Sequence, residues 1–160
     1  MDKLNTNTFQ LLKVNLIKND GKTKIWSANS VFVYNDLEQV WDELDDNVLV
    51  KSENFFVRFD RHSKRSRYLL LSKSLLKKQG NEINLYLNEP LVVYYQDYLN
   101  IQAKNPIEKI KQLKTKIQEL KQAQDWGLGI ADQIELELAM IELKKYELMM
   151  QFSLVARETD

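Results

Sequence analysis

Apolar and polar residues alternate with a period of two over much of the first hundred residues and recur at helical spacing over the last fifty. Within 9–17, Leu12, Val14 and Leu16 fall on one face of an extended segment, and Lys13, Asn15 and Ile17 on the other. Asp20-Gly21 offers a two-residue hairpin loop, because both residue types tolerate positive φ. Residues 22–28 then return as the partner strand, in a register that sets Leu16 opposite Ile25 and Asn15 opposite Trp26. Val31–Tyr34 reads as a third strand. Asn35 or Asp36 next caps a short helix over 37–46, with Leu37, Val40, Trp41 and Leu44 at i, i+3, i+4 and i+7.

The same order recurs. Asn54–Asp60 reads as a strand, Arg61–Arg65 as a charged tip, Ser66–Ser72 as the return and Ile83–Leu87 as a third strand. Asn88-Glu89-Pro90 opens the next element, with Pro where a helix does not need its N–H. The body, Leu91–Leu99, is ambiguous. Its β-branched and aromatic residues favour a strand, while Leu91, Tyr94, Tyr95 and Tyr98 share a helical face. An offset of 53 residues aligns Asn35-Asp36 with Asn88-Glu89, Val40 with Val93 and Trp41 with Tyr94, which decides for helix.

From Lys104 the pattern is helical. Asn105, Pro106 and Glu108 make a capping-box start, and Ile110, Leu113, Ile117 and Leu120 form a seam at 3-4-3 spacing. Asp125–Gly129 interrupts. A second helix, about 130–156, carries one stripe through Ile134, Leu138, Ile141, Leu148, Phe152 and Val155. Another runs through Leu136, Met140, Leu143, Met150 and Leu154. One antiparallel neighbour covers one stripe, so the other needs the sheet or a second copy of the chain. Residues 104–123 hold six Lys and two Glu, net +4, whereas 130–155 hold five acids and two Lys, net −3. Opposite signs favour a helical hairpin.

The expected fold is therefore α+β: an antiparallel sheet from two ββ-β-α units in 1–103, then a long helical hairpin in 104–160 that packs on it or dimerises.

Charge and composition narrow the chemistry. The 23 basic and 23 acidic residues cancel, so a polyanion partner must be read from a local patch. There is no Cys and a single His, His62, which removes thiol chemistry, disulfides and a multi-histidine metal site within one chain. Four Gly leave no nucleotide-binding loop. No cofactor and no metal is expected. The acidic run Asp36, Glu38, Asp42, Glu43, Asp45 and Asp46 lacks calcium-loop spacing and reads as a solvated face. No targeting segment or membrane span is visible, which favours a cytoplasmic protein.

Two features carry candidate chemistry. Five cations (Arg58, Arg61, Lys64, Arg65 and Arg67) crowd one predicted hairpin tip with a single acid, Asp60. Arginine forks match phosphate oxygens, although a solvated tip accounts for the run equally simply. The sheet face opposite the expected core gathers Lys13, Asn15, Lys24 and Trp26, then Phe56, Arg58 and Tyr68, with Asn84 and Tyr86. Rings that stack on bases among cations that hold phosphates suit a single strand of nucleic acid; the same rings suit a buried core. His62 beside Asp60, Lys64 and Arg65 is a remote candidate for RNA cleavage.

Residues 54–99 resemble a repeat of the PUR family of single-stranded nucleic-acid-binding proteins. The likeness lies in Asn54–Asp60, Ser66–Ser72, Ile83–Leu87 and Val92–Leu99. It implies a curved antiparallel sheet followed by one helix, with Arg58, Arg67 and Tyr68 at a nucleic-acid face. That repeat has four strands where three are read here, and it lacks the helical hairpin. The leading expectation is non-catalytic binding of single-stranded nucleic acid through the sheet face and basic tip, by a chain that dimerises through its helical hairpin. The alternative is a protein-interaction module, a small inhibitor or adaptor of phage or mobile-element type, acting through the helical hairpin and the tip.

Overall fold

A computed structural model describes residues 11–61, 65–100, 106–127 and 129–157. The chain divides into two compact units, with the boundary between Leu91 and Val92.

The first unit is a mixed sheet. Its strands are β1 (Leu12–Ile17), β2 (Thr23–Ala28), β3 (Val31–Asn35), β4 (Val40–Glu43), β5 (Asn47–Phe59), β6 (Arg67–Gln79) and β7 (Glu82–Tyr86). They hydrogen-bond in the order β2-β1-β7-β6-β5-β3-β4. Neighbours run antiparallel except β1 and β7, which pair in parallel with Val14 beside Ile83 and Leu16 beside Leu85. A purely antiparallel sheet of two ββ-β-α units is thus not what forms. The gain from the parallel ladder is apolar: it aligns Val14 and Leu16 with Ile83, Leu85 and, one strand on, Leu76, all fully buried. Each such side chain stabilises the fold by roughly 1.5–3 kcal/mol.

The helix expected over 37–46 is a tight turn and a strand. Asn35 pairs with Val40 across it, Gln39 adopts φ +56, and the Asn35 side-chain oxygen accepts the Glu38 N–H at 3.3 Å. Asn serves turns and helix caps by the same bond, so the cap signal was real but the helix was not. β5 and β6 are thirteen residues each, far longer than the segments 54–60 and 66–72 predicted. Gly80, at φ +56, turns β6 into β7, and its N–H donates to the Asp46 carbonyl at 3.0 Å.

The second unit holds β8 (Val93–Gln96), α1 (Pro106–Gln124), α2 (Ile130–Gln151) and β9 (Leu154–Arg157). The helix expected at 88–99 is overturned too. Val93–Gln96 pair antiparallel with β9, and Asp97 closes a turn by accepting the N–H groups of Leu99 and Asn100 at 3.2 and 3.1 Å. The β-branched and aromatic preference won. Upstream in the first unit, Glu89 accepts bonds from the Ser72 N–H and hydroxyl at 2.9 and 3.2 Å, rather than opening a helix.

α1 and α2 form a hairpin-like pair. Pro106 starts α1 and Glu108 lies in its first turn; the predicted cap, Asn105, is outside the described residues. Ile110, Leu113 and Ile117 are buried along α1, and Ala139 on α2. Lys116 and Glu135 pair at 2.9 Å, and Lys109 and Glu142 at 3.7 Å, joining the helices of opposite charge. α2 ends earlier than expected: Phe152 donates to the Leu148 carbonyl, Ser153 takes φ +54, and Val155 lies in β9. No helix among the described residues is long and apolar enough to cross a membrane.

Candidate functional site

The predicted site residues separate into three settings. The first is the β5–β6 tip, where the cations are largely held by the protein itself. The Arg58 guanidinium donates to the Arg61 carbonyl at 3.0 Å and to Ser66 Oγ at 3.4 Å. It lies 5.2 Å from the Tyr68 ring and 5.8 Å from that of Trp41. Arg67 donates to Asp60 Oδ2 at 3.2 Å and to the Ser27 carbonyl at 3.0 Å, 4.4 Å from the Trp26 ring. Asp60, at φ +58, also accepts the Asn29 N–H at 2.6 Å. Arg61 sits 4.9 Å from the Phe32 ring, and its N–H donates to Ser30 Oγ at 3.2 Å. Arg65 is exposed. Lys64 and His62 lie outside the described residues. Arg58 and Arg67 therefore spend their forks and faces on the fold, tying β6 to β5 and β2.

The second setting is the ring cluster. Trp26 is 9% exposed, Phe56 3% and Tyr68 0%. The Phe56 and Tyr68 rings stack at 5.7 Å, and Trp41 and Tyr34 close around Phe56 at 4.9 and 5.8 Å. Phe56, Arg58 and Tyr68 do share one side of the β5–β6 hairpin, as the alternation predicted, but that side is packed. Trp26 has a different history. The β1–β2 loop has three residues, Asn19–Gly21, with Lys18 donating to the Lys22 carbonyl at 2.9 Å and Gly21 at φ +81. The register moves by one, so Trp26 pairs with Val14 and Asn15 with Ile25. A one-residue slip exchanges the faces of a strand. It sends Trp26 inward against Phe59 at 5.5 Å and turns Ile25 out. Lys24, now opposite Leu16, is exposed at the end of β2.

The third setting is the open side of β2-β1-β7-β6-β5. Register aligns Ile17, Tyr86 and Leu75 in one cross-strand row ending at Lys51. The next row runs Ile25, Asn15, Asn84, Lys77 and Leu49. Lys13 lies beyond it, beside Glu82. Asn15 donates to Asn84 Oδ1 and Glu82 Oε1, both at 2.8 Å, which fixes the middle of the face. Lys13, Lys51, Lys77 and Tyr86 are exposed; Ile25 and Leu49 are 61% and 64% exposed. Lys51, Lys77, Leu49 and Leu75 were not predicted for any site. A signal was present: Gly80-Asn81 between alternating segments marks a two-residue hairpin and extends β6 through them.

On the helical hairpin, Ile130, Ile134 and Leu138 recur every four residues and are each more than half exposed. α1 packs on another side of α2, where Ala139 is buried and Leu143 lies beside Lys114 and Ile117. Exposure does not follow either predicted stripe along its whole length: Ile134 and Leu138 of one and Met140 and Met150 of the other are exposed, while Leu148 is buried. Among the described residues, no three His, Asp or Glu side chains are placed to hold a metal ion.

A family described as the UU051 N-terminal domain matches residues 11–92, so its end and the boundary between the two units coincide within one residue. No curated protein matches the chain.

Proposed function

The chain belongs to the UU051 family through this N-terminal domain, and on that footing we propose that it is a non-catalytic protein-interaction module of the cytoplasm, assembled as a homodimer through α2. The observation that carries the reading is the exposed stripe Ile130, Ile134 and Leu138. Water leaves such a surface readily, and a self-complementary stripe satisfies the symmetry of a two-fold pair. Equal spacing makes it self-complementary: with Ile134 on the axis of an antiparallel pair, Ile130 of one copy faces Leu138 of the other. In that register Glu135 faces Gln133 and Glu137 faces Ala131, so no like charges oppose.

Single-stranded nucleic acid, the competing ligand, loses support from the burial of Trp26, Phe56 and Tyr68, which leaves those rings no surface on which to stack a base. Light scattering coupled to gel filtration tests the proposal. The wild-type chain is expected at twice its monomer mass at micromolar concentration. Ile134→Glu is expected at monomer mass with unchanged far-UV circular dichroism. A wild-type monomer, or a dimer indifferent to Ile134→Glu, defeats the reading.

A further inference from the structure

The open side of the first unit is built unlike an inert solvent face, and we infer that it binds an acidic amphipathic helix of a partner protein. The inference shares with the preceding section the premise that the chain binds protein, but it does not require the dimer. The charges come first. Lys13, Lys51 and Lys77 are exposed, and none is in an ion pair among the described residues. Glu82, opposite Lys13, keeps its negative charge while accepting the Asn15 amide. Among the described residues, Lys51 and Lys77 are therefore the cations of this face without a counter-charge beside them.

Its apolar part borders Lys77 on one side and Lys51 at one end. Ile17, Tyr86 and Leu75 sit on three adjacent strands, so they form a strip about 10 Å across at the usual strand spacing of ~4.8 Å. Lys51 ends that row and Lys77 flanks it, with Ile25 and Leu49 exposed at the two margins of the next. Five strands span about 19 Å between the outer strand axes, the length of roughly 13 helical residues. A helix laid across the strands sets one apolar stripe on Ile17, Tyr86 and Leu75 and brings carboxylates on one flank to Lys77 and at one end to Lys51. A nucleic acid fits the same charges less well. Tyr86 is the single ring in these two rows, and Ile17, Ile25, Leu49 and Leu75 offer no plane for a base.

The test uses the full chain and two fluorescein-labelled probes. One is a synthetic peptide about four turns long with leucines on one face and glutamates on its flanks; the other is a thymidine oligonucleotide. Anisotropy is expected to rise with the peptide and to stay flat with the oligonucleotide. Lys51→Glu with Lys77→Glu is expected to weaken peptide binding about tenfold or more, since two attractions become repulsions. Ile134→Glu is expected to leave it unchanged, which separates this site from the dimer contact. No peptide binding, affinity indifferent to the double reversal, or binding of the oligonucleotide in place of the peptide would overturn the inference.

Discussion

Replacing Trp26 with Ala probes the register on which the first unit is built. The indole is 9% exposed, meets Phe59 edge-on at 5.5 Å and has the Arg67 guanidinium 4.4 Å above it. Removing a buried aromatic costs about 3–5 kcal/mol from lost transfer free energy and the cavity left behind. The displaced cation–π contact adds about 0.5–2 kcal/mol, partly retained because Arg67 keeps Asp60 and Ser27. The expected loss is therefore about 4 kcal/mol, a large fraction of a domain's usual 5–15 kcal/mol. Urea unfolding followed by far-UV circular dichroism measures it, since fluorescence changes with the substitution itself. Ile25→Ala is the internal control: an exposed neighbour, one residue away, expected to move stability by no more than about 0.5 kcal/mol. Had the two-residue loop set the pairing, the two effects would exchange. A Trp26→Ala loss below about 1 kcal/mol at unchanged denaturant dependence would refute the inward placement.

Asp60 should be sensitive to both charge and backbone. Asp60→Ala loses the 3.2 Å pair with Arg67 and the bond from Asn29, and puts a Cβ-bearing residue without a polar side chain at φ +58. It is expected to cost about 3 kcal/mol against about 1 kcal/mol for Asp60→Asn, which tolerates that conformation; equal losses in urea unfolding would count against this account. The Asp97 carboxyl is held below its ordinary value near 3.8, first by the Asn100 side chain and then by the Asn100 N–H. Its contribution to stability is thus present above that ordinary value and fades as pH falls through the lowered one. Carboxyl NMR titration should show the lowered midpoint in the wild type and a rise in Asn100→Ala; an ordinary midpoint in both would contradict the turn.

Several elements were legible because local and global preferences agreed. The helical pair is one: Pro106, Glu108, the 3-4-3 seam and the opposed charges of α1 and α2 each point the same way. Errors gathered where one local signal serves two structures. Asn35 accepts a backbone N–H in a turn as readily as at a helix cap, and Tyr94 fits a strand as well as a helical stripe. Trp26, Phe56 and Tyr68 of the candidate face are buried, and two of its arginines engaged, through two physical causes. A three-residue loop in place of two moved Trp26 inside. Arg58 and Arg67 then found acceptors and rings within the fold, which no count of cations along a chain can disclose. The parallel pairing of β1 with β7 left no local trace, because nothing in either segment encodes which distant edge it will meet.

That pairing sets the order of events during synthesis. Asn15 and Asn84 are neighbours in space and 69 residues apart along the chain. A two-stranded ribbon is marginal by itself in water, so β1 and β2 leave the ribosome with Val14 and Leu16 still wet and with one edge of β1 open. They can dry only when β7 has emerged, and closing so long a loop is slow. The interval before that moment is when a nascent chain is most exposed to joining the wrong edge.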